Sequence, residues 1–318
     1  MMPTKGSAPK VSRRAFLQAG AGIVTTSLIA GGSRPVWAAS GVHSFEVGAG
    51  EVIVISDGVF ALPRSLVLPD TPAAEVDALF KAHGADAEII AQTNVTVVRN
   101  GSNVVLIDTG AGPDFMPSLG SFADKLEGIG IKSTDVTHVV FTHAHADHFW
   151  GVLDPFGDGS RWPDARHVMT TVERDFWLAP GVEDRVPAFQ KSMAVGIQRR
   201  LKSLAEKMTF VSSSAEILPG LAFVASPGHT PGHVSVAVRS GTSEILVLGD
   251  ALTHPAVSFG APQWRWGSDL DAQQAAATRT GLLDDLATRK IGIVGYHLPW
   301  PGVGRAERRG TAYRYVAE

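Results

Sequence analysis

The sequence predicts an α/β fold in which two β-sheets pack face to face and helices cover their outer sides. Two observations indicate this αββα sandwich. Short stretches rich in valine and isoleucine occur in two sets along the chain, and most neighbours within a set are joined by hairpins. Helical stretches follow each set, and an apolar sheet face is buried most readily against another layer. No linker or repeat interrupts the pattern, so we expect one domain over residues 39–318.

The predicted strands are bounded by glycine, proline or asparagine, the residues that favour turns. The first set comprises Glu51–Ser56, Asn94–Arg99, Asn103–Gly110 and Thr137–His143. The second set comprises Leu221–Gly228, His233–Ser240, Glu244–Asp250 and Lys290–His297. Asn100-Gly101 and Ser240-Gly241 each predict a hairpin turn, because such residues accept positive φ.

The helices are predicted from apolar spacing and from terminal signals. Thr71 and Pro72 look like the N-cap and first residue of a helix that continues to about His83. Further helical patterns cover residues 118–131, 171–179, 186–207 and 269–289. The last of these is the clearest amphipathic helix.

Composition excludes several functional classes. Hydrophobic residues make up 44% and charged residues 19%, which is ordinary for a globular protein. The net charge of -3 argues against nucleic acid as a partner, because no basic surplus is present to neutralise phosphates. The mature region contains no apolar run long enough to predict a membrane span. Cysteine is absent, so thiolate metal sites and cysteine nucleophiles are excluded.

The first 38 residues resemble a bacterial twin-arginine export signal. Arg13 and Arg14 precede a mildly apolar stretch, and small residues end the segment at Ala38. We therefore expect cleavage after Ala38 and a periplasmic or secreted protein. That export route carries proteins that are already folded, which suits a chain that acquires metal before export.

The residues FTHAHADHF at 141–149 concentrate metal-binding side chains directly after a predicted strand. His143 and His145 are two positions apart, so in extended backbone they point to the same side. Asp147 and His148 follow where the chain should turn into a helix. One ion could not easily use all four side chains at this spacing, which favours two adjacent cations. Further candidate ligands end later strands, namely His229, Asp250 and His297.

Five segments in this order resemble the metallo-β-lactamase superfamily of binuclear metal hydrolases. They are DTG at 108–110, HAHADH at 143–148, GHTPGH at 228–233, LGD at 248–250 and YH at 296–297. The resemblance covers essentially the whole mature chain. It implies two mixed β-sheets flanked by helices, with a metal centre at the strand ends.

The resemblance also implies a ligand set, carried over position by position. His143, His145 and His229 would bind the first metal. Asp147, His148 and His297 would bind the second metal, and Asp250 would bridge the two. Asp147 and Asp250 are the predicted catalytic residues, with Asp147 also accepting a proton. Two divalent ions are expected, with zinc as the default for imidazole and carboxylate ligands.

Within the superfamily, the chain resembles the branch of methyl parathion hydrolases and lactonases. The matching motifs include VVLIDTGAG, FTHAHADHFWG, PGHTPGHVS and YHLPWPGVG. This branch implies hydrolysis of a lactone, an aryl ester or an organophosphate triester by a hydroxide held between the metals. Alternatives are a β-lactamase, a glutathione thioester hydrolase, or a persulfide dioxygenase with one iron. A non-catalytic metal-binding protein is the fourth alternative.

The substrate is expected to be small, neutral and partly hydrophobic. Aromatic and polar residues near the ligand segments are the predicted pocket wall, namely Phe149, Trp150, Phe176, Trp177, His254, Phe259 and Trp300. Asp108 is expected to fix the neighbouring turn or a ligand histidine, and His233 to orient its loop. The resemblance also implies a homodimer.

Overall fold

Seven strands form the first sheet of the computed structural model, which describes residues 41–155 and 159–318. In chain order they are β1 (Val42–Val47), β2 (Gly50–Leu62), β3 (Ile89–Asn100), β4 (Asn103–Ile107), β5 (His138–Val140), β6 (Arg166–Thr170) and β7 (Met208–Val211). Their order in the sheet equals their order in the chain. Pairing is antiparallel from β1 to β4 and parallel from β4 to β7. The sheet is therefore mixed.

Seven further strands among the described residues form the second sheet. They are β8 (Glu216–Leu218), β9 (Leu221–Ala225), β10 (Val234–Ser240), β11 (Ser243–Val247), β12 (Gly292–Val294), β13 (Val303–Arg309) and β14 (Ala312–Ala317). Strand order again follows the chain. Only β11 and β12 pair in parallel, and all other neighbours are antiparallel. The parallel pair matters for function because two candidate ligands, Asp250 and His297, follow its two strands.

In the described part of the chain, eight α-helices join these strands. They are α1 (Arg64–Val67), α2 (Ala73–His83), α3 (Phe122–Gly128), α4 (Ala146–Phe149), α5 (Thr171–Leu178), α6 (Lys191–Ser203), α7 (Val257–Gly260) and α8 (Ala272–Arg289). Side chains cap two of them: Thr170 accepts from the Glu173 amide, and Asp271 accepts from the Gln274 amide. Within the described ranges, no helix is both long and apolar enough to cross a membrane.

The core lies in layers on both sides of each sheet. Valines from the two sheets meet between them, as with Val54 and Val105 facing Val236 and Val247. Helices α3, α5 and α6 pack on the outer face of the first sheet, and α8 packs on the outer face of the second through Leu283 and Leu286. Because helices cover the middle of each sheet, the central strands are short apolar runs rather than alternating ones. This confirms the predicted αββα architecture.

The elements that were predicted differ from the structure mainly at their ends. Both predicted hairpins are present, with Gly101 and Gly241 at positive φ. Helix α2 starts after Pro72, which stands at the cap position, and Thr71 makes no cap. The predicted strand over 137–143 ends at Val140, because Thr142 turns to accept from the Val234 amide and donate to Asp108.

Six strands were not predicted, namely β1, β6, β7, β8, β13 and β14. Several carry charged or polar residues on one face, as in VGRAERR of β13, whose last positions are exposed. Strands of this kind lie towards the margins of a sheet, where one side faces water, and they lack the valine-rich signature used for the prediction. The proposed export signal lies outside the described residues.

His167 on β6 is a fully buried histidine away from the metal ligands. Its Nε2 lies 2.8 Å from the Ser160 hydroxyl, and its ring is roughly parallel to that of Phe141. Burial lowers the pKa of His167 from 6.5 to about 4. The folded protein therefore holds this ring neutral where the unfolded chain would protonate it.

We expect the His167 ring to contribute to acid sensitivity. As pH falls from 6.5 to about 4, the unfolded state binds a proton at His167 that the folded state does not. The free energy of unfolding should therefore fall across this window, by up to about 3 kcal/mol from this group. Urea unfolding at pH 7 and pH 4.5 should show that His167→Gln loses less unfolding free energy between the two pH values than the wild type does. Parallel losses in the two proteins would contradict the assignment.

Candidate metal centre

The seven candidate ligands lie together at one edge of the sandwich, where strands end. His143 and His145 lie in the loop after β5, and Asp147 and His148 lie on the short helix α4. The remaining three follow strands β9, β11 and β12, namely His229, Asp250 and His297. Each is at most 8% exposed. The structure thus brings together side chains separated by up to 154 positions.

The ligand atoms fall into two adjacent groups. The first contains His143, His145, His229 and Asp250, and the second contains Asp147, His148 and His297. Within each group the candidate ligand atoms all lie within 4.8 Å of one another. Together the two groups contain the seven side chains of the implied ligand set, with Asp250 in the first group.

Asp250 lies between the groups. Its Oδ2 is 3.3 Å from Nε2 of His229 and 3.2 Å from Nε2 of His297, while its Oδ1 is 3.1 Å from Nε2 of His148. One carboxylate therefore reaches nitrogen atoms of both groups. Burial alone would raise the pKa of Asp250, but His297, His148 and His229 together hold it well below its ordinary value. Asp250 is consequently ionised.

Orphaned buried atoms show that these residues fit metal ions. Nε2 of His143, Nε2 of His148 and Oδ1 of Asp250 are buried and have no hydrogen-bond partner among the described residues. Nδ1 of His145 and Nε2 of His229 are only 2.9 Å apart. Buried polar atoms normally have partners, so such a convergence is unusual unless a cation binds there. Imidazole and carboxylate ligands suit divalent transition metals, including zinc.

The electrostatics of the two groups differ. Burial, followed by the neighbouring histidines, lowers the pKa values of His143 and His145 well below 6.5, so their lone pairs are free. Burial also acts to lower the pKa of His297, but Asp250 and Asp147 outweigh it and raise the value to about 10. The second group therefore favours a positive charge, which is what a bound cation supplies.

Hydrogen bonds at the far nitrogen orient three ligand histidines. Nδ1 of His148 donates to Asp108 at 2.8 Å, and Nδ1 of His297 donates to the Gln92 carbonyl at 2.6 Å. Nδ1 of His229 lies 3.1 Å from Asp269. Each contact leaves Nε2 facing the centre, as is usual for metal-binding histidines. The expectation for Asp108 included this contact, and the structure shows it.

The loop carrying His297 is held by the first sheet. The Asn94 amide group on β3 donates to the carbonyls of Gly295 and Leu298, and the backbone N–H of Asn94 donates to the Tyr296 carbonyl. The Tyr296 hydroxyl donates to the Asp147 carbonyl at 2.6 Å, and its ring stacks on His148. The second sheet's ligand loop is thereby fixed against residues of the first.

His233 orients the loop that carries Asp250. Its Nε2 accepts from the Asp250 N–H at 2.9 Å, and its Nδ1 donates to the Ser226 carbonyl at 3.0 Å. Gly249 has φ of 54°, and a Cβ there would lie 2.7 Å from Nε2 of His233. Glycine is therefore required next to Asp250. The orienting role expected for His233 agrees with these contacts.

Glu173 joins three segments of the site behind the ligands. It is fully buried on α5 and receives four hydrogen bonds. The donors are the Ala144 amide and the Trp177 indole at Oε1, and the Thr230 hydroxyl and the Gly232 amide at Oε2. These bonds connect the His143–His145 segment with the loop of His229. Sequence reasoning did not single out Glu173, because its donors come from distant segments.

Asp269 and Arg279 form a second support that was not predicted. Asp269 contacts Nδ1 of His229 through Oδ1 and receives the Arg279 guanidinium at 2.8 Å through Oδ2. Both residues are at most 5% exposed. Their 10-residue spacing follows no motif, so the pairing becomes visible only when α8 packs beside the centre. The Arg279 charge helps to hold the pKa of Asp269 low despite its burial.

A cavity of about 230 Å³ opens onto the ligands. His145, Asp147, Asp250 and His297 line its inner end. Its walls are mainly apolar and include Phe60, Leu62, Ile89, Phe115, Met193 and Trp266, with the partly exposed Phe189 and Ile90 as further lining residues. No lysine or arginine lies among the described residues that line it.

Most of the predicted wall residues lie elsewhere. Of the seven, His254 lines the cavity. Phe149 and Phe259 are fully buried and pack against Phe141 and Tyr315, respectively. Trp150 packs under the guanidinium of Arg200 and against Phe115.

The other three predicted wall residues also pack inside the fold. Trp177 is fully buried, donates to Glu173 and reaches only the edge of His145. Phe176 packs in the core with Trp177 and under Arg185. Trp300 packs against the core between the sheets. The prediction of the wall was therefore wrong for these residues, because their side chains pack in or against the core instead of lining the cavity.

Comparison with known proteins agrees with this geometry. A profile of the Metallo-beta-lactamase superfamily matches residues 90–291, which is more than half of the chain. The chain belongs to this superfamily. The match includes all candidate ligands except His297, which follows it by six positions.

Two curated relatives match about half of the chain or less. A "Probable metallo-hydrolase" of Mycobacterium tuberculosis is 29% identical over 184 residues, which is 51% of this chain and 57% of that protein. The N-acyl homoserine lactonase AttM of Rhizobium radiobacter is 27% identical over 134 residues, 39% of this chain and 44% of AttM. The chain thus spans only about half the length of these relatives.

Solved structures match over a greater length. AidC, a dizinc quorum-quenching lactonase, has a TM-score of 0.82 and 26% identity, covering 87% of this chain and 97% of AidC. The hydrolase AbOPH has a TM-score of 0.80 and 25% identity, with the same coverage of 87% and 97%. These similarities support a metal-dependent hydrolase with lactonases among its structural neighbours.

Proposed function

We propose that this protein is a binuclear metal-dependent hydrolase that cleaves lactones, aryl esters or organophosphate triesters. The observation that carries the proposal is the position of Asp250, whose carboxylate reaches nitrogen atoms of both ligand groups at 3.1–3.3 Å. A site for a single ion would not require the second group of ligands, Asp147, His148 and His297, on the other side of that carboxylate. Zinc is the proposed metal.

Two divalent cations held by these groups would act as Lewis acids and generate hydroxide at neutral pH. The chain's own residues supply the remaining functions. Burial alone would raise the pKa of Asp147, but His148 and His297 lower it below its ordinary value. Asp147 is therefore ionised and can accept the proton released by the attacking water and return it to the leaving group. Asp250 holds the two ligand groups in register.

The cavity favours a neutral substrate with an apolar part. Its wall offers aliphatic and aromatic side chains close to the ligands, where an acyl chain or an aromatic leaving group would be buried. The structural similarity to a dizinc lactonase supports a lactone as the first substrate to test. A homodimer and twin-arginine export remain proposals based on resemblance.

The cavity argues against a glutathione thioester. Such a substrate carries carboxylates, which basic side chains would recognise, and the described lining residues include no lysine or arginine. The complete second ligand group likewise argues against a persulfide dioxygenase with one iron.

A hydrolase panel with metal analysis tests the proposal. Zinc-loaded protein should contain two ions per chain and should hydrolyse at least one of hexanoyl homoserine lactone, p-nitrophenyl acetate and paraoxon. Nitrocefin and S-lactoylglutathione should be poor substrates. The proposal would fail if the protein with two bound zinc ions left the first three compounds intact. One iron per chain would instead indicate the dioxygenase.

A further inference from the structure

His254 lines the cavity and, among the described residues, has no hydrogen bond or ion pair to a candidate ligand. It follows β11 in the loop that begins at Asp250, and it is 8% exposed. Its ring stacks on Phe80, with centroids 5.0 Å apart and planes at 15°, and lies near-parallel to Trp266 at 6.2 Å. These two aromatic contacts hold the imidazole plane in one orientation.

Backbone contacts assign the proton of His254. Its Nδ1 accepts from the amides of Ala256 and Val257 at 3.2 and 3.3 Å. A neutral imidazole has one acceptor and one donor nitrogen, so the proton is on Nε2. Nε2 has no hydrogen-bond partner among the described residues. Burial, assisted by His83, lowers the pKa of His254 to about 4, so the ring stays neutral at pH 7.

The apolar surroundings allow the Nε2–H group of His254 to discriminate between substrates. Leu62, Ile89 and Trp266 line the same cavity. In such apolar surroundings, a ligand that displaces water from an N–H group without accepting its hydrogen bond binds less favourably. A substrate whose chain is purely apolar leaves Nε2–H unpaired. A substrate with an acceptor at this point along its chain pairs it.

We propose that His254 is a specificity-determining residue whose Nε2–H donates to a second acceptor on the substrate, such as an amide or keto carbonyl on its apolar chain. The inference rests on the proposed hydrolase function and narrows its substrate class. The preferred substrates are lactones or esters whose acyl chain carries a carbonyl group apart from the bond that is cleaved.

Two variants separate the two nitrogens of His254. In His254→Asn, the side-chain oxygen can replace Nδ1 as the acceptor for the Ala256 and Val257 amides, but the side chain is too short to reach the position of Nε2. In His254→Gln, the longer amide can restore a donor near Nε2. The substrates are two γ-lactones of equal chain length, one with a hexanoylamino chain and one with a plain alkyl chain.

The measured quantity is the ratio of kcat/KM for the amide-bearing lactone to kcat/KM for the alkyl lactone, with zinc-loaded protein. Loss of one neutral hydrogen bond should lower this ratio about tenfold in His254→Asn, through KM. His254→Gln should recover most of the wild-type ratio. A purely structural role would lower kcat/KM for both lactones by the same factor. It would also make His254→Gln, which loses the Nδ1 acceptor, less active than His254→Asn.

The outcomes are distinct. An unchanged ratio in His254→Asn, or equal losses for both lactones, would overturn the role of His254 while leaving the hydrolase function intact. If the wild-type protein hydrolyses neither lactone nor any other compound of the panel, the proposed function itself fails. A selective loss in His254→Asn with recovery in His254→Gln supports the inference.

Discussion

Replacing Asp250 with asparagine should lower lactone or ester hydrolysis by at least about 10³-fold. The physical reason is the position of its carboxylate, which lies within 3.3 Å of nitrogen atoms from His148, His229 and His297. Asparagine keeps the shape but removes the negative charge and offers an NH₂ group where a ligand atom is needed. We therefore expect fewer than two metal ions per chain, measured by elemental analysis beside kcat/KM.

Asp164→Asn is the matched control for Asp250→Asn. Asp164 is exposed and lies in the loop before β6, so the same chemical change there should leave metal content and rate near the wild-type values. Circular dichroism should show both variants folded. Wild-type turnover by an Asp250→Asn protein with full metal content would mean that Asp250 does not connect the two groups.

Replacing Glu173 with alanine should lower the free energy of unfolding by about 3–5 kcal/mol. The change leaves four buried donors without their acceptor, those of Ala144, Trp177, Thr230 and Gly232. Since two of these segments carry His145 and His229, metal affinity should also fall, by about 10–100-fold. Urea unfolding measures the first effect, and competition with a chelating dye measures the second.

Asp175→Ala provides the control for Glu173→Ala on the same helix. Asp175 is exposed and, among the described residues, pairs only with its neighbour Arg174, so its loss should cost less than about 0.5 kcal/mol. A Glu173→Ala protein that unfolds within 1 kcal/mol of the wild type, a margin below the cost of one unpaired buried donor, would show that water replaces the carboxylate. The structural role assigned to Glu173 would then be wrong.

The ligand segments could be recognised from the sequence because they follow strands. His143, Asp250 and His297 come after valine- and isoleucine-rich runs, and strand ends at one edge of a sandwich lie close together in space. The architecture was predictable for the same reason. Apolar runs separated by turn residues carry a local signal, and that signal is read without knowledge of distant contacts.

The supporting residues and the cavity wall could not be predicted in this way. Glu173, Asp269 and Asn94 act through partners that are between 4 and 204 positions away, and no spacing rule relates them. The prediction of the cavity wall was wrong for a different reason. Phe149 and Trp177 are close in sequence or space to ligands but point away from the cavity, whereas Leu62 and Ile89 reach it from strand ends far from any motif.

The hydrogen bonds between Asn94 and the loop at Gly295–Leu298 make the placement of one candidate ligand depend on a distant strand. His297 is the final candidate ligand to be synthesised, and its loop is positioned by a strand made about 200 residues earlier. Until that late segment docks, the second group consists of Asp147 and His148 alone. The second group therefore gains its third candidate ligand only through contact between the last strands of one sheet and an early strand of the other.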